Sequence, residues 1–289
     1  MRTRTILALL CGMAACAPAG ASAATLRWPK PTLTNPITVQ LGTGYTHTML
    51  STTRDYVVKL PSTKKYGGTW LEGGHNIVIV GGSVTIPASV TEATTPKRAA
   101  IYIKGATGTV HIQGVLIDGA GGAQMDGIDV DAPQATVQLQ YDRIVNVRGG
   151  QNSWHGDVVQ PFGGVKALRI DHLTGSSNFQ GLFLNPTLGP IGSATLSNVN
   201  LVATTTATLD GGGAMLWTNN DPAVCTKYPV SLSNVWVQPR PGWSLAGAVW
   251  PHQLATYGAC PGVTGGVYRG IPSTGSYVPA GSVGLGYTG

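Results

Sequence analysis

The sequence predicts an all-β chain, a single-stranded right-handed parallel β-helix: a solenoid of at least six turns. Three observations lead there. Short apolar-x-apolar runs recur along most of the chain, as in "VHIQGVLI" (110–117), "VQLQYDRIV" (137–145), "LRIDHLTG" (168–175), "TLSNVNLV" (195–202) and "VSLSNVWV" (230–237). Taking Ile112, Leu139, Ile170, Leu196 and Leu232 as equivalent gives steps of 27, 31, 26 and 36 residues, the range of stacked repeat architectures. No segment carries an apolar stripe at helical spacing over three turns, and 41 glycines with only 10% charged residues suit many turns between short strands.

The elements follow in order. Residues 1–23 read as a secretory signal: Arg2 and Arg4 precede an apolar run from Ile6 to Ala17, and Ala21-Ser22-Ala23 is a small-residue cleavage site. A lipid anchor at Cys16, in Met13-Ala14-Ala15-Cys16, is the lesser alternative because the usual leucine is missing. Residues 24–54, rich in Thr and Pro, are expected to cap and lead into the coil, since a solenoid must cover its open end. Residues 55–255 are expected to form the coil. A second set of runs interleaves with the first there: "AIYIKG" (100–105), "GIDVDAP" (127–133), "GDVVQPF" (156–162), "GLFLNPT" (181–187), "AMLWTNN" (214–220) and "AVWPHQ" (248–253). Strands too short for a doubly wound sheet can stack in parallel, turn upon turn, about 4.8 Å apart. Asn198 and Asn234 fall at one place in successive turns, where amides can stack at a bend, and His172 occupies the same place one turn earlier. Residues 256–289, dominated by Gly, Ser, Pro and Tyr, are left open between packing along the outside and disorder.

Outside the signal stand two cysteines, Cys225 and Cys260. In an exported chain they are expected to pair. On a chain-entropy argument, closing that loop is worth about 4 kcal/mol. The chain carries 18 Lys and Arg against 12 Asp and Glu, two of the basic residues lying in the signal. This mild basic balance points to an acidic ligand. The basic residues are scattered, so no nucleic-acid module is indicated. There is no phosphate loop, no H-E-x-x-H and no G-x-S-x-G elbow. No stretch beyond the signal is long and apolar enough to span a bilayer. The expected protein is secreted or periplasmic, and monomeric.

The chain resembles the pectate lyase-like superfamily of right-handed β-helix proteins over most of residues 55–255. "DGIDV" (126–130) is similar to part of the polygalacturonase signature, though no Asp-Asp pair and no Arg-Ile-Lys follow it. "LRIDH" (168–172) is similar to the W-I-D-H rung of pectate lyases, with Arg169, flanked by Leu168, where that rung has its Trp. "GGHNIVIVGG" (73–82) is a common opening phrase of such coils. The resemblance implies an extracellular protein that handles polysaccharide.

A parallel coil sets same-parity side chains of successive turns in columns. The densest polar set lies in the turns beginning at Asp126 and at His155. Asp129 and Asp131 share one side of their strand, roughly 6–7 Å apart. Two registers compete. Aligning His155 with Asp126 turns Asp157 inward, where a charge would cost several kcal/mol unless paired. Aligning Asp157 with Asp126 sets Gln160 over Asp129, with Asn185 beside them, and is preferred. Candidate catalytic residues are His155, Asp157, Asp129, Lys166 and Arg169. Candidate substrate contacts are Trp154, Gln160, Asn185, Arg148 and Tyr141. Asp126, Asp129 and Asp157 are candidate Ca²⁺ ligands, because Ca²⁺ prefers several oxygens; no other cofactor is implied.

Structural roles compete with each of these. Asp beside Gly or Pro often only caps a turn, Lys104 and Lys166 suit a solvated surface, and Trp217 suits the core. His155 has no repeat partner to explain it and is suited to acid-base work. The expected function is a lyase cleaving a uronic acid-containing glycan by β-elimination, which needs a neutralised carboxylate and a base. The alternatives are a glycoside hydrolase using an Asp pair, Asp129 or Asp131 with Asp157, and a non-catalytic glycan-binding protein with Trp154, Trp217 and Trp250 stacking on sugar rings.

Overall fold

The computed structural model describes residues 25–89, 99–205 and 211–289. The expected signal and Cys16 lie outside the described residues. Among those described there is no α-helix; nineteen strands and two short 3-10 turns make the fold. The strands pair in parallel throughout a long sheet.

The pairings sort into three ladders. The first joins Thr46–Leu50, Thr69–Gly73, Ala99–Lys104, the start of Asp126–Val147, the start of Asp157–Ser177, Gln180–Phe183, Leu216–Trp217 and Val249–Trp250. The second joins Ile37–Gln40, Tyr56–Lys59, Ile77–Val80, Thr109–Gln113, residues 136–140, 167–171, 194–197 and 230–233, and Val263–Thr264. The third joins Lys65–Tyr66, Ser83–Thr85, Leu116–Asp118, residues 143–145, 173–177, 199–202 and 235–237, and Val267–Arg269. Paired strands therefore begin at Ile37, inside the segment expected as lead-in.

Aliphatic residues explain why these rungs stack. Ile101, Ile128, Val159, Leu182 and Leu216 follow one another along the first ladder, and Ile79, Ile112, Leu139, Ile170 and Leu196 along the second. All of them are fully buried in one continuous core. Each such side chain stabilises the fold by about 1.5–3 kcal/mol through burial.

The bend between the second and third ladders is a column of left-handed residues: Gly81, Gly114, Tyr141, His172, Asn198 and Asn234 all have positive φ. Asn tolerates this conformation better than most residues. Its amides also bond along the column. Asn234 Nδ2 donates to Asn198 Oδ1 at 3.1 Å, and Asn198 Nδ2 donates to Asp171 Oδ1 at 2.9 Å.

Both ends of the described chain lie against the ladders. Near the start, Trp28 exchanges two hydrogen bonds with the Gln140 side chain. Near the end, Tyr277 N–H donates to Asn200 Oδ1, Val278 N–H to Thr174 Oγ1, and Gly284 N–H to Gly114 O. The C-terminal segment thus packs on the outside and runs back toward earlier rungs. Gly114 is required there: a Cβ on it would sit 2.0 Å from the Tyr287 ring. Cys225 and Cys260 form the disulfide, with Cα atoms 5.3 Å apart. No helix among the described residues is long and apolar enough to cross a membrane.

Candidate active site

The first ladder carries the site. Its pairings set Ile128 beside Val159 and Asp129 beside Gln160, so Asp157 stands in register with Asp126 and, on its other side, with Gln180. This is the register preferred from the sequence. The same pairings build a column of larger side chains: His47, Trp70, Tyr102, Asp129, Gln160, Phe183, Trp217 and Trp250. His47 stacks on Trp70 at 3.9 Å, Trp70 lies 5.3 Å from Tyr102, and Phe183, Trp217 and Trp250 follow at 5.1 and 5.5 Å. Trp217 was expected in the core. Instead Leu216 fills the core and Trp217 is half-buried in this column, because adjacent strand residues face opposite sides.

A loop folds over the middle of the column. Residues 149–156 are clamped by Asn178, whose side chain accepts from Gly149 N–H at 3.0 Å and donates to Gly149 O at 2.7 Å. Ser177 Oγ–H donates to Gly156 O. The loop brings Trp154 down so that its indole N–H donates to Asp126 Oδ2 at 2.7 Å, while Asp157 N–H donates to Asp126 Oδ1 at 2.7 Å. A cavity of about 350 Å³ results, lined by Asp126, Asp129, Trp154, Gln160, Phe162 and Leu188.

The carboxyl groups here are not ordinary surface acids. Burial pushes Asp126 up to about 7, against the pull of its two hydrogen bonds. Asp157 is raised well above the usual carboxylate range, first by burial and then by the neighbouring Asp126. The expectation that this register would spare Asp157 from burial is overturned: it is 0% exposed, and neither carboxyl oxygen has a hydrogen-bond partner among the described residues. A raised carboxyl of this kind favours its neutral form, which avoids burying a charge.

A second cavity, of about 290 Å³, follows along the ladder and is lined by Gln151, His155, Phe179, Gln180, Phe183, Trp217 and Asn220 with parts of three small residues. His155 belongs here. Its ring stacks on Phe179 at 4.7 Å, and its Nε2 lies 3.2 Å from Gln151 O.

The remaining candidates lie apart. Arg169 is on the second ladder between Gln138 and Thr195, and Lys166 is exposed three residues earlier in the same strand. Tyr141 sits at the bend, stacked on His172 at 4.5 Å. Asn185 is buried and closes its own turn by accepting from Thr187 N–H and Oγ1–H. Arg148 directly follows the Asp126–Val147 strand, and its carbonyl accepts from Met125 N–H. Among the described residues no group of three or more His, Cys, Asp or Glu is placed to hold a metal ion. Phe162, Leu188, Phe179 and Phe183 line the cavities without having been singled out from the sequence. The one available signal was the position after the first buried aliphatic in "AIYIKG", "GLFLNPT" and "AMLWTNN", which repeatedly holds an aromatic.

The arrangement offers a buried carboxyl that titrates near neutrality, a second carboxyl three residues on, and aromatic surfaces above and below. No family model, curated protein or solved structure matches this chain.

Proposed function

We propose that the chain is an extracellular polysaccharide-active enzyme on a right-handed parallel β-helix, and that its first ladder hydrolyses a glycan with Asp126 and Asp129. One observation carries this reading: the cavity under Trp154 joins two carboxyl groups, one of them pushed up to about 7, in a line of aromatic side chains. Glycoside hydrolysis uses a pair of carboxyl groups, one protonated to assist the leaving oxygen and one ionised. Asp126, pushed up to about 7, is the candidate acid. Asp129 is the candidate base or nucleophile. The three parallel ladders and the resemblance to pectate lyase-like proteins support the β-helix. The disulfide and the lack of a membrane-length helix among the described residues are compatible with an extracellular location.

β-Elimination from an acidic glycan is the second reading. It draws on the mild basic balance of the chain. Its base and neutraliser would come from His155, Lys166 and Arg169, which lie in three separate surroundings. Hydrolysis is therefore favoured. Asp129→Asn should abolish the release of reducing ends from the right polysaccharide while melting and far-ultraviolet dichroism stay native. Full turnover in that variant, or products with unsaturated ends, would remove the hydrolase reading.

A further inference from the structure

We infer that the second cavity is a binding subsite for an uncharged pyranose ring, two rungs along from the carboxyl pair. This inference rests on the hydrolase reading and names its substrate class, a neutral linear glycan. The floor of the cavity is aromatic: Phe183 meets Trp217 edge to face, with centroids 5.1 Å apart. The wall is His155 stacked on Phe179. The polar groups are amides, from Gln151, Gln180 and Asn220, and no carboxylate, Lys or Arg lines the cavity among the described residues. An apolar surface with a few convergent, uncharged polar groups matches a sugar ring, whose flat face is C–H and whose edge is hydroxyl.

A second observation points to a ligand. Gln180 is 7% exposed, and its Oε1 has no hydrogen-bond partner among the described residues. A buried acceptor left unpaired costs stability; a sugar hydroxyl donating to it would offset that cost.

The spacing fits one chain crossing both cavities. Asp129 and Gln160 floor the first, Phe183 and Trp217 the second, and successive rungs lie about 4.8 Å apart, so the centres are separated by about 10 Å. Trp70 and Tyr102 extend the column on the other side of the carboxyl pair. Cleavage then falls inside the bound glycan and not at its end.

The test titrates the full disulfide-bonded protein, carrying Asp129→Asn to prevent turnover, with β-1,4-linked glucose, xylose and mannose oligomers of graded length and with oligogalacturonate. Heat and tryptophan fluorescence are read together. A neutral oligomer should bind. Gln180→Leu should weaken that binding about tenfold or more without lowering the melting temperature, because the unpaired acceptor is gone. His155→Ala, at an exposed position, should also weaken it. Binding of oligogalacturonate alone, or unchanged affinity in both variants, would overturn the inference. Turnover separates the two levels. If wild type releases reducing ends and the variants bind normally, the subsite fails and the hydrolase reading stands. If the variants lose binding and no panel member is cleaved, the subsite stands and the hydrolase reading fails.

Discussion

Asp157→Asn replaces a carboxyl with a neutral group of the same shape. In the fold the Asp157 carboxyl has no exposed surface, no partner for either oxygen among the described residues, and Asp126 beside it. Burial raises both groups, so the folded protein holds protons that the unfolded chain has released. Stability is then fully present below the unfolded value near 3.8 and falls as pH rises toward the folded value. For Asp126 the window runs from 3.8 to about 7. At roughly 1.4 kcal/mol per unit this amounts to about 4 kcal/mol. Asp157 adds to the loss in the same direction. Removing its ionisable group should raise stability relative to wild type near pH 8 and change it much less near pH 4. Urea unfolding of wild type and variant at both pH values gives the difference. Asp55 and Glu72, lowered by their hydrogen-bond partners, act at lower pH with the opposite sign and cancel in the comparison. A variant less stable than wild type near pH 8 would mean that Asp157 is ionised and held by a partner, and the account of the buried pair would fall.

Other perturbations test the scaffold. Ile128→Ala removes a fully buried side chain between Ile101 and Val159 and should cost about 2–5 kcal/mol in urea unfolding. Gly114→Val drives a side chain into the Tyr287 ring; it should release the C-terminal segment, read as faster proteolysis near residues 277–289 with the core resistant. Cys225→Ala together with Cys260→Ala should lower stability by about 2–4 kcal/mol, and reduction of the wild type should reproduce that loss.

Much of the architecture was legible because it repeats. Strand parity and the spacing between Leu139, Ile170, Leu196 and Leu232 were enough to stack the rungs and align Asp157 with Asp126. The bend at His172, Asn198 and Asn234 was legible because few residues accept a left-handed backbone. The site was less so. Each repeat carries three strands, and only the positions of its bends decide which ladder a residue joins; Arg169 and Tyr141 therefore moved away from Asp129. Asp157 shares its side of the strand with Val159, which faces the core, while Trp154 reaches Asp126 from the 149–156 loop, which is held by Asn178 from the following rung. Contacts of this kind have no local pattern. Trp217 was misjudged because Leu216 and Trp217 are both apolar, and neither alone reveals which one faces the core.

The most direct test is incubation of the protein with neutral and acidic polysaccharides, following new reducing ends and the ultraviolet absorbance of unsaturated ends together. The account predicts reducing ends from a neutral glycan, without that absorbance, lost in Asp129→Asn. Absorbance rising with reducing ends from a uronic acid polymer would contradict it and mean elimination.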